Sequence, residues 1–224
     1  MNILLFGATG MVGQGVLREC LLAADVQIVQ TVGRSATGTQ NPALREVVQQ
    51  DLWHYQDIAE KLSGFDACFF CLGVTSSGKA QADYERVTYG ITMAAAEILC
   101  RLNPQMTFIY VSGAGTDSSE RGRRMWARVK GKTENALLRL PFAAYMFRPG
   151  IIQPLFGEKP KTALYNVFYN IGKPLLPMVK KVFPDSVLTT QQVGLAMLRV
   201  ARNGYPRRVL EIKDIRAAAS VSDL

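Results

Sequence analysis

The sequence predicts an α/β fold with a doubly wound parallel sheet, and two features of its 224 residues point to it. Short apolar runs alternate with longer stretches in which apolar residues recur at helical spacing. A glycine-rich turn also follows the first apolar run directly. Strands that alternate with helices of this length form parallel β-α-β units, whose sheet is covered by helices on both faces.

The predicted elements follow one another without a repeat, a low-complexity tract or a linker that would divide the chain. Residues 3–6 form the first strand, because a continuous apolar run is typical of a strand that is buried on both faces. Further strands are predicted at residues 26–32, 44–48, 67–72, 107–111, 143–147 and 208–212. Helices are predicted at residues 11–24, 80–102, 123–140 and 191–201.

The composition is that of a globular chain, with 48% hydrophobic residues, 20% charged residues and a mean hydropathy of +0.07. This apolar content excludes disorder as the main state. We expect no membrane span, because no apolar run approaches the roughly 20 residues that a spanning helix needs. The first residues lack the basic front and the cleavage site of a signal peptide, so we expect a cytoplasmic protein.

The four cysteines and the single histidine do not predict a metal site. Cys68 and Cys71 form a CxxC motif, but they lie in an apolar run where residues three apart point to opposite faces of a strand. We therefore expect these two thiols to be packing residues. Nothing around His54 suggests a Ser-His-Asp triad.

The formal net charge of +8 is unevenly distributed along the chain. Residues 1–112 carry a net charge of −3, whereas residues 113–224 carry +11. This excess indicates an anionic partner, either a phosphate-bearing ligand, nucleic acid or an acidic membrane surface, with a solvated basic surface as the alternative. The basic half also offers a surface for a homodimer or another protein partner. We do not expect nucleic acid to bind, because no helix-turn-helix, zinc-finger or RNA-recognition motif is present.

The most specific local motif is GATGMVG at residues 7–13, which lies directly after the first strand and opens the first helix. At such a place one glycine makes a tight turn, one lets the backbone approach a pyrophosphate, and one lets the helix pack closely on the strand. The free amides and the positive end of the helix dipole then bind phosphates. We therefore predict a dinucleotide site that is formed by Gly7, Thr9, Gly10, Met11, Val12 and Gly13.

The residues after the second strand indicate which dinucleotide binds. An NAD site would carry Asp or Glu at the end of this strand, to bind the ribose 2′-hydroxyl. The chain instead continues with Gly33, Arg34 and Ser35, and a guanidinium is suited to pairing with a 2′-phosphate. NADP is therefore favoured over NAD, and Arg34 and Ser35 are predicted to contact the cofactor. The alternative is that Arg34 is an ordinary surface arginine.

Two further loops are expected to line the cofactor crevice, because each follows the carboxyl end of a strand. Asp51 and Leu52 come after the third strand, where such folds bracket the adenine. Leu72, Gly73 and Val74 come after the fourth strand and would flank the nicotinamide.

Six motifs follow one another along much of the chain: GATGMVG (7–13), VGRS (32–35), CLGVTSSGKA (71–80), FIYVSGAG (108–115), WARVKGKTE (126–134) and FRPG (147–150). In this set the chain resembles the atypical short-chain dehydrogenase/reductases, particularly the Tat-interacting-protein-like branch and the NmrA-like proteins. The resemblance implies one NAD(P)-binding Rossmann-like domain over residues 1–224, in which residues 151–190 form a lid on the substrate side. An acidic membrane or a partner subunit is the alternative contact for part of that segment, residues 162–183.

The resemblance also implies an oxidoreductase whose small-molecule substrate is an unidentified carbonyl or alcohol. In this family a Ser or Thr at the end of the fifth strand orients the substrate carbonyl. A Tyr-x-x-x-Lys helix follows, whose tyrosine transfers a proton and whose lysine lowers the tyrosine pKa and holds the nicotinamide ribose. Ser112 and Lys130 match two of these positions, but Trp126 occupies the place of the tyrosine. Indole donates hydrogen bonds and cannot act as an acid or a base.

Three interpretations of Trp126 remain open. The proton could come from Tyr84 or Tyr89 on the preceding helix, or from water. The site could instead bind NADP(H) without turnover, as a redox sensor or regulator, or it could catalyse a reaction that needs less acid–base help. Arg148, within FRPG, belongs to the segment that the resemblance places beside the nicotinamide.

Overall fold

The computed structural model describes residues 1–158 and 186–220, and these residues form parallel strands with helices packed on both sides. The strands are β1 (Asn2–Phe6), β2 (Ile28–Gly33), β3 (Leu44–Val48), β4 (Ala67–Phe70), β5 (Thr107–Val111), β6 (Ala143–Phe147), β7 (Ile151–Gln153), β8 (Val187–Thr189) and β9 (Val209–Leu210). The helices are α1 (Met11–Leu22), α2 (Gln81–Glu85), α3 (Ile91–Leu102), α4 (Met125–Leu138), α5 (Thr190–Asn203) and α6 (Ile212–Ser220). A 3₁₀-helix spans Gln56–Leu62, and a π-helical turn, Arg86–Gly90, joins α2 to α3.

The main sheet has seven parallel strands in the order β3-β2-β1-β4-β5-β6-β9. The direction of winding reverses between β1 and β4, which are neighbours although two strands separate them in sequence. Such a reversal leaves a crevice outside the carboxyl ends of the strands, and open α/β sheets bind ligands there. The glycine-rich loop after β1 and the loop after β4 both lie at this crevice.

Each face of the main sheet is covered by its own apolar core. On one side Phe6, Phe70 and Phe108 stack in a row, with ring centroids 5.2 Å and 5.8 Å apart. On the other side Leu5 and Ile109 pack beneath α1 and α5. Alternate residues of the same strands therefore supply both cores, as the continuous apolar runs predict. The predicted doubly wound fold is confirmed.

The end of the chain differs from the prediction of a strand at residues 208–212. The strand is only Val209–Leu210, and Ile212 already begins α6. The reason is a helix start: the Asp214 carboxylate accepts a hydrogen bond from the Glu211 amide at 3.1 Å, which satisfies a free donor at the helix end. The sequence analysis also missed the 3₁₀-helix, the π-helical turn and the short ribbon of β7 and β8.

Most of the segment predicted to be a lid lies outside the described residues, which omit 159–185. In the described part of the chain, no helix has the length and apolar character needed to cross a membrane. Cys68 is fully buried in β4 and Cys71 is half-buried just after it, and both are free thiols, in agreement with the predicted packing role.

Candidate functional site

The glycine-rich loop brings the end of β1, the start of α1 and the residues after β4 into close contact. Gly7 has φ +80°, and a Cβ atom there would lie 2.6 Å from the Leu72 amide nitrogen. A Cβ atom on Gly13 would overlap the carbonyl oxygen of Gly7. Both positions therefore require glycine, one for its backbone conformation and both for the space. The result is a loop whose backbone is open to a ligand on the crevice side.

Among the residues that the structure describes, no side chain caps the amides in the first turn of α1. Gly10 is the N-cap residue, and neither a capping side chain nor an acidic residue lies in the first turn. The amides of Met11, Val12 and Gly13 are therefore available, and they combine with the positive end of the helix dipole. Thr9 extends this loop, and its carbonyl oxygen accepts a hydrogen bond from Gln14 at 3.0 Å. This arrangement fits a pyrophosphate.

Arg34 and Ser35 lie immediately after β2, at the edge of the crevice, and both are exposed. The Arg34 guanidinium makes no hydrogen bond or ion pair with residues 1–158 or 186–220. Its backbone carbonyl oxygen accepts a hydrogen bond from the side-chain amide of Gln50 at 2.9 Å. The backbone of the loop is thus held in place while the guanidinium remains available to an anion.

The two residues predicted at the adenine differ in exposure. Asp51 is exposed, and its carboxylate accepts hydrogen bonds from the Trp53 amide at 2.9 Å and from His54 Nδ1 at 2.7 Å. The hydrogen bond from His54 is the main cause of a lowered Asp51 pKa. Leu52 is only 3% exposed and its side chain packs in the core beside Phe6. The Leu52 side chain is therefore part of the core, and only its backbone could contact an adenine.

The loop after β4 lies opposite the glycine-rich loop. Leu72 and Val74 are half-buried and Gly73 is exposed. The Leu72 amide faces Gly7, so this loop and the loop after β1 form the two walls of the crevice at the point where the winding reverses. All three residues follow the carboxyl end of β4, and their contact with the nicotinamide stays a prediction.

Ser112 belongs to a buried polar cluster at the carboxyl end of β5. Its hydroxyl faces the Glu134 carboxylate at 2.5 Å and the Phe147 carbonyl oxygen at 3.1 Å, and both of these groups are acceptors. A hydroxyl has a single proton to donate. The expectation that this hydroxyl orients a substrate carbonyl is therefore not what the structure shows, because its proton is directed into the protein.

Arg148 completes the same cluster. Its guanidinium pairs with Glu134, which is fully buried, and also reaches Glu211 at 3.1 Å and the Ser118 hydroxyl at 2.5 Å. The Glu134 carboxylate raises the pKa of Arg148 through hydrogen bonding. Because the guanidinium is occupied, the predicted role of Arg148 at the cofactor is limited to its backbone.

Lys130 is the basic residue of α4 that lies at the end of β5. Its ammonium donates a hydrogen bond to the backbone carbonyl oxygen of Ser112. Removal from water lowers the Lys130 pKa to about 8, and the charge of Glu134 opposes that shift. Gly131 lets α4 reach this position, because a Cβ atom there would overlap the Asp117 carbonyl oxygen. Lys130 can therefore exchange a proton near neutral pH.

Trp126, which cannot transfer a proton, and the two tyrosines considered as proton donors, Tyr84 and Tyr89, have different surroundings. Trp126 is half-buried one turn before Lys130, and its ring approaches the position of Gly115. Tyr84 is 2% exposed in the core. The ring of Tyr89 lies 4.7 Å from the ammonium of Lys132, which is two residues beyond Lys130 in α4.

Glu134 is the site residue whose role the sequence analysis missed. It is the acidic end of WARVKGKTE and lies four residues after Lys130, on the same side of α4. A single carboxylate in a strongly basic helix was the available signal. Its partners, Ser112 and Arg148, are the residues that directly follow β5 and β6, and sequence spacing could not show that these two strand ends meet at Glu134.

The loop before α4 presents cations at the mouth of the crevice. Arg121, Arg123 and Arg124 are exposed, and they make no ion pair with the described residues. Arg128 donates a hydrogen bond to Gln81 Oε1 at 2.7 Å, so the start of α4 is joined to the start of α2. The basic character of this half of the chain is thus concentrated partly at the crevice.

Comparison with known proteins identifies the family. Residues 7–141 match a family of proteins described as NAD(P)H-binding. Protein FMP52-2, mitochondrial, of Scheffersomyces stipitis is 29% identical over 98% of this chain and 96% of that protein. Protein HTATIP2 of Rattus norvegicus is 30% identical over 67% of this chain and 62% of that protein. Among solved structures, the Bordetella bronchiseptica enzyme WbmF in complex with NAD⁺ has a TM-score of 0.69 at 15% identity, covering 98% of this chain and 76% of that one.

The relatives also correct one expectation. FMP52-2 and other fungal FMP52 proteins are named as mitochondrial, so the prediction of a plainly cytoplasmic protein is wrong. That prediction relied on the absence of a secretory signal, which does not address targeting to an organelle. The fold, the glycine-rich loop and the match to the NAD(P)H-binding family agree with one another, and the chain belongs to the NAD(P)H-binding, NmrA-like family of atypical short-chain dehydrogenase/reductases, with a Rossmann fold.

Proposed function

We propose that this protein is an NADP(H)-dependent oxidoreductase that acts on a carbonyl or alcohol substrate. The observation that carries the proposal is the loop after β1, where Gly7 and Gly13 leave no room for a side chain and the first turn of α1 has no protein cap. Such a loop fits a dinucleotide pyrophosphate. The nicotinamide of the bound cofactor would supply hydride exchange with a substrate carbon.

The preference for NADP over NAD is supported by the end of β2. Arg34 is exposed and its guanidinium has no acceptor among the described residues, while its backbone is held by Gln50. A planar guanidinium binds phosphate in a bidentate manner. No carboxylate follows β2 to bind a ribose 2′-hydroxyl, since the chain there reads Gly33-Arg34-Ser35.

Lys130 is the residue that we assign to proton transfer. Its ammonium is positioned by the Ser112 carbonyl oxygen, and its lowered pKa of about 8 lets it lose and regain a proton near neutral pH. In the reducing direction, Lys130 would donate its proton to the carbonyl oxygen of the substrate and would then be reprotonated from water. Ser112 would act on the substrate through Lys130, because its own hydroxyl faces Glu134.

A second candidate function is a regulator that binds NADP(H) without turnover. Two observations favour it: Trp126 replaces the family's proton-transferring tyrosine, and the Ser112 hydroxyl is directed away from the crevice into the buried cluster. The exposed arginines before α4 would then be available to a protein partner.

Binding and turnover are tested separately. The thermal midpoint of the purified protein is measured with NADPH and with NADH, and we expect both to raise it, NADPH by more.

Reduction of a panel of aldehydes and ketones is then followed by the loss of NADPH absorbance. Turnover that disappears in Lys130→Met supports the enzyme. An inactive parent that gains turnover in Trp126→Tyr supports the regulator, and a midpoint unchanged by either dinucleotide contradicts both functions.

A further inference from the structure

The loop between β5 and α4 carries a group of exposed cations at the mouth of the cofactor crevice. Arg121, Arg123 and Arg124 are exposed and form no ion pair with the described residues; we call them the arginine cluster. Lys79, which is also exposed, lies in the neighbouring loop after β4. Both loops follow the carboxyl ends of strands, where open α/β sheets bind ligands. The arginine cluster therefore lies on the side of the sheet from which a substrate must enter.

The acidic residues of the same loop are occupied in holding its backbone. The Asp117 carboxylate accepts hydrogen bonds from the Ser119 amide at 3.0 Å, the Ser119 hydroxyl at 2.6 Å and the Gly122 amide at 2.6 Å. Glu120 Oε1 accepts a hydrogen bond from the Asn135 side chain at 2.7 Å. Among the described residues, neither carboxylate forms an ion pair with the arginine cluster, so the positive charge of the cluster is available to a ligand.

The backbone that carries the arginine cluster is held in place. Arg128, in α4, donates hydrogen bonds to the carbonyl oxygens of Gly122 at 2.8 Å and Arg123 at 3.0 Å. The same guanidinium binds Gln81 Oε1 at 2.7 Å, at the start of α2. Glu120 has φ +60°, a left-handed conformation that residues other than glycine seldom adopt and that often occurs at ligand sites. A ligand that binds here meets a loop that is already ordered, which lowers the entropy cost of binding.

The position of the arginine cluster disfavours the protein without a ligand. Three guanidinium groups within residues 121–124 repel one another. Arg124 is also the N-cap residue of α4, and the first turn of that helix has no acidic residue, so the positive end of the helix dipole adds to the repulsion. An oxyanion bound among the three side chains removes this repulsion, because guanidinium groups pair with carboxylate and phosphate oxygens in a bidentate manner.

The arginine cluster and Lys130 are separated by a distance that one substrate can span. Arg124 precedes Lys130 by about 9 Å along the axis of α4, at the rise of roughly 1.5 Å per residue of an α-helix. Trp126 lies between them, and a Cβ atom on Gly115 would lie 3.8 Å from its ring. The indole therefore borders the path from the arginine cluster to the ammonium of Lys130.

We propose that the substrate carries an anionic group, a carboxylate or a phosphate, several bonds away from its carbonyl, and that the arginine cluster binds this group while the carbonyl lies at Lys130. The proposal rests on the oxidoreductase function proposed above and names the class of its substrate. The arginine cluster orients the substrate and takes no part in the chemistry at the carbonyl. It thereby selects anionic carbonyl compounds over neutral ones of the same length.

The first test measures binding without turnover, in protein saturated with NADP⁺, where an aldehyde cannot be reduced. The chain has only two tryptophans, so Trp53→Phe leaves Trp126 as the single reporter fluorophore. The probe is 9-oxononanoate, an aldehyde whose chain is long enough to reach from Lys130 to the arginine cluster, and its methyl ester is the neutral match. We expect both compounds to change the Trp126 emission, and the acid to bind about tenfold more tightly than the ester.

Salt and competing anions then identify the interaction. Added sodium chloride should weaken the binding of the acid and leave that of the methyl ester nearly unchanged, because salt screens the attraction between charges. Hexyl phosphate and hexanoate are compared as competitors at equal concentration, and the stronger competitor shows whether phosphate or carboxylate is the preferred anion. A probe that neither anion displaces contradicts an anion site at the arginine cluster.

The second test removes the charge of the arginine cluster. The triple variant Arg121→Gln, Arg123→Gln, Arg124→Gln keeps the backbone groups that hold the loop, and its preference for the acid over the methyl ester should fall about tenfold. Arg139→Gln is the matched control, because Arg139 is an exposed arginine at the other end of α4, and it should retain the wild-type preference. Thermal midpoints show whether the variants are folded, and the salt dependence of the parent protein tests the same charge without these substitutions.

The outcomes separate this inference from the proposed function. Equal affinities for the acid and the ester before substitution, or a preference that the triple variant retains, overturn the anionic substrate class, while reduction of the ester by NADPH still supports the oxidoreductase. A preference for the acid that the triple variant loses, without reduction of either aldehyde by NADPH, supports the anion site and contradicts turnover. Protein that binds neither NADP⁺ nor the acid overturns both proposals.

Discussion

The loop after β1 and the polar cluster after β5 lie at the same edge of the sheet, yet they are built in different ways. The loop after β1 depends on backbone atoms, with Gly7 and Gly13 allowing the close contact and the α1 amides facing outward. The cluster after β5 depends on side chains from distant parts of the chain, Ser112, Lys130, Glu134 and Arg148.

The difference shows why cofactor binding and catalysis can separate in this family. A phosphate site made of backbone amides tolerates changes in most of its side chains. Proton transfer depends on the identity of individual side chains, and one substitution, Trp126 at the tyrosine position, removes an acid. The cluster after β5 can therefore keep its structural function while its chemistry changes. The predictions below test this division.

The largest expected effect is the removal of Glu134 from the cluster after β5. Glu134 is fully buried and its carboxylate bonds both the Arg148 guanidinium and the Ser112 hydroxyl. Glu134→Ala leaves Arg148 with a partly buried charge, so the free energy of unfolding should fall by about 3–5 kcal/mol. Urea denaturation of the two proteins measures the difference.

The partly exposed ion pair between Lys132, on α4, and Glu85, on α2, is the control for that experiment. Glu85→Ala should cost less than about 1 kcal/mol, because water screens the pair and the side chains lose entropy when they form it. Equal costs for Glu85→Ala and Glu134→Ala would show that the buried cluster does not stabilise the fold as described.

The next largest effect concerns the loop after β1. Gly13→Ala places a Cβ atom against the Gly7 carbonyl oxygen, so α1 must move away from the turn and its amides lose their common orientation. We expect the dissociation constant for NADPH, measured by calorimetry, to rise about a hundredfold. Urea denaturation run in parallel shows whether the variant is folded. A folded variant with unchanged affinity would refute the assignment of this loop to the pyrophosphate.

A smaller effect is expected at Arg34, which acts on one phosphate only. Arg34→Gln should raise the dissociation constant for NADPH about tenfold and leave that for NADH nearly unchanged. Arg45→Gln, an exposed arginine in β3, should alter neither constant. If Arg34→Gln weakens both cofactors equally, Arg34 does not select between them.

The same division explains which parts could be predicted from the sequence. The fold and the glycine-rich loop were predictable because they follow from local patterns: continuous apolar runs, helical spacing, and glycines placed directly after a strand. The predictions for Arg34 and Asp51 depend on a pattern of the same kind, a position counted from a strand end. Helix α6 was missed because one hydrogen bond, from Glu211 to Asp214, outweighs the strand-like residues before it.

The cluster after β5 could be predicted only in part. Ser112 and Lys130 were located through the family resemblance, but the direction of the Ser112 hydroxyl depends on Glu134 and Phe147, which are 22 and 35 residues away. The contact between Trp53, in the loop after β3, and Arg86 likewise joins distant residues, and the π-helical turn that begins at Arg86 interrupts a stretch that reads as one helix. Contacts between distant residues leave no spacing pattern in the sequence.

The smallest expected effect is a pH dependence that originates in Lys130. Removal from water lowers its pKa from 10.5 to about 8 in the folded protein. Between these two values the unfolded chain binds more protons than the folded one, so the stability should rise as the pH increases from about 8 to about 10.5. The amplitude should be about 1 kcal/mol, because Lys130 is only half-buried and solvent reduces the effect.

Thermal midpoints of the wild type and Lys130→Met across this pH range measure the effect, and the rise should be absent from the variant. Lys132 is the control with the opposite sign, because its hydrogen bond to Glu85 raises its pKa above 10.5. Its contribution is present at lower pH and is lost as the pH rises through that raised value, so Lys132→Met should leave the rise between pH 8 and 10.5 intact. A rise that persists in Lys130→Met would assign the titration to another group and would remove the support that the lowered pKa gives to Lys130 as the proton donor.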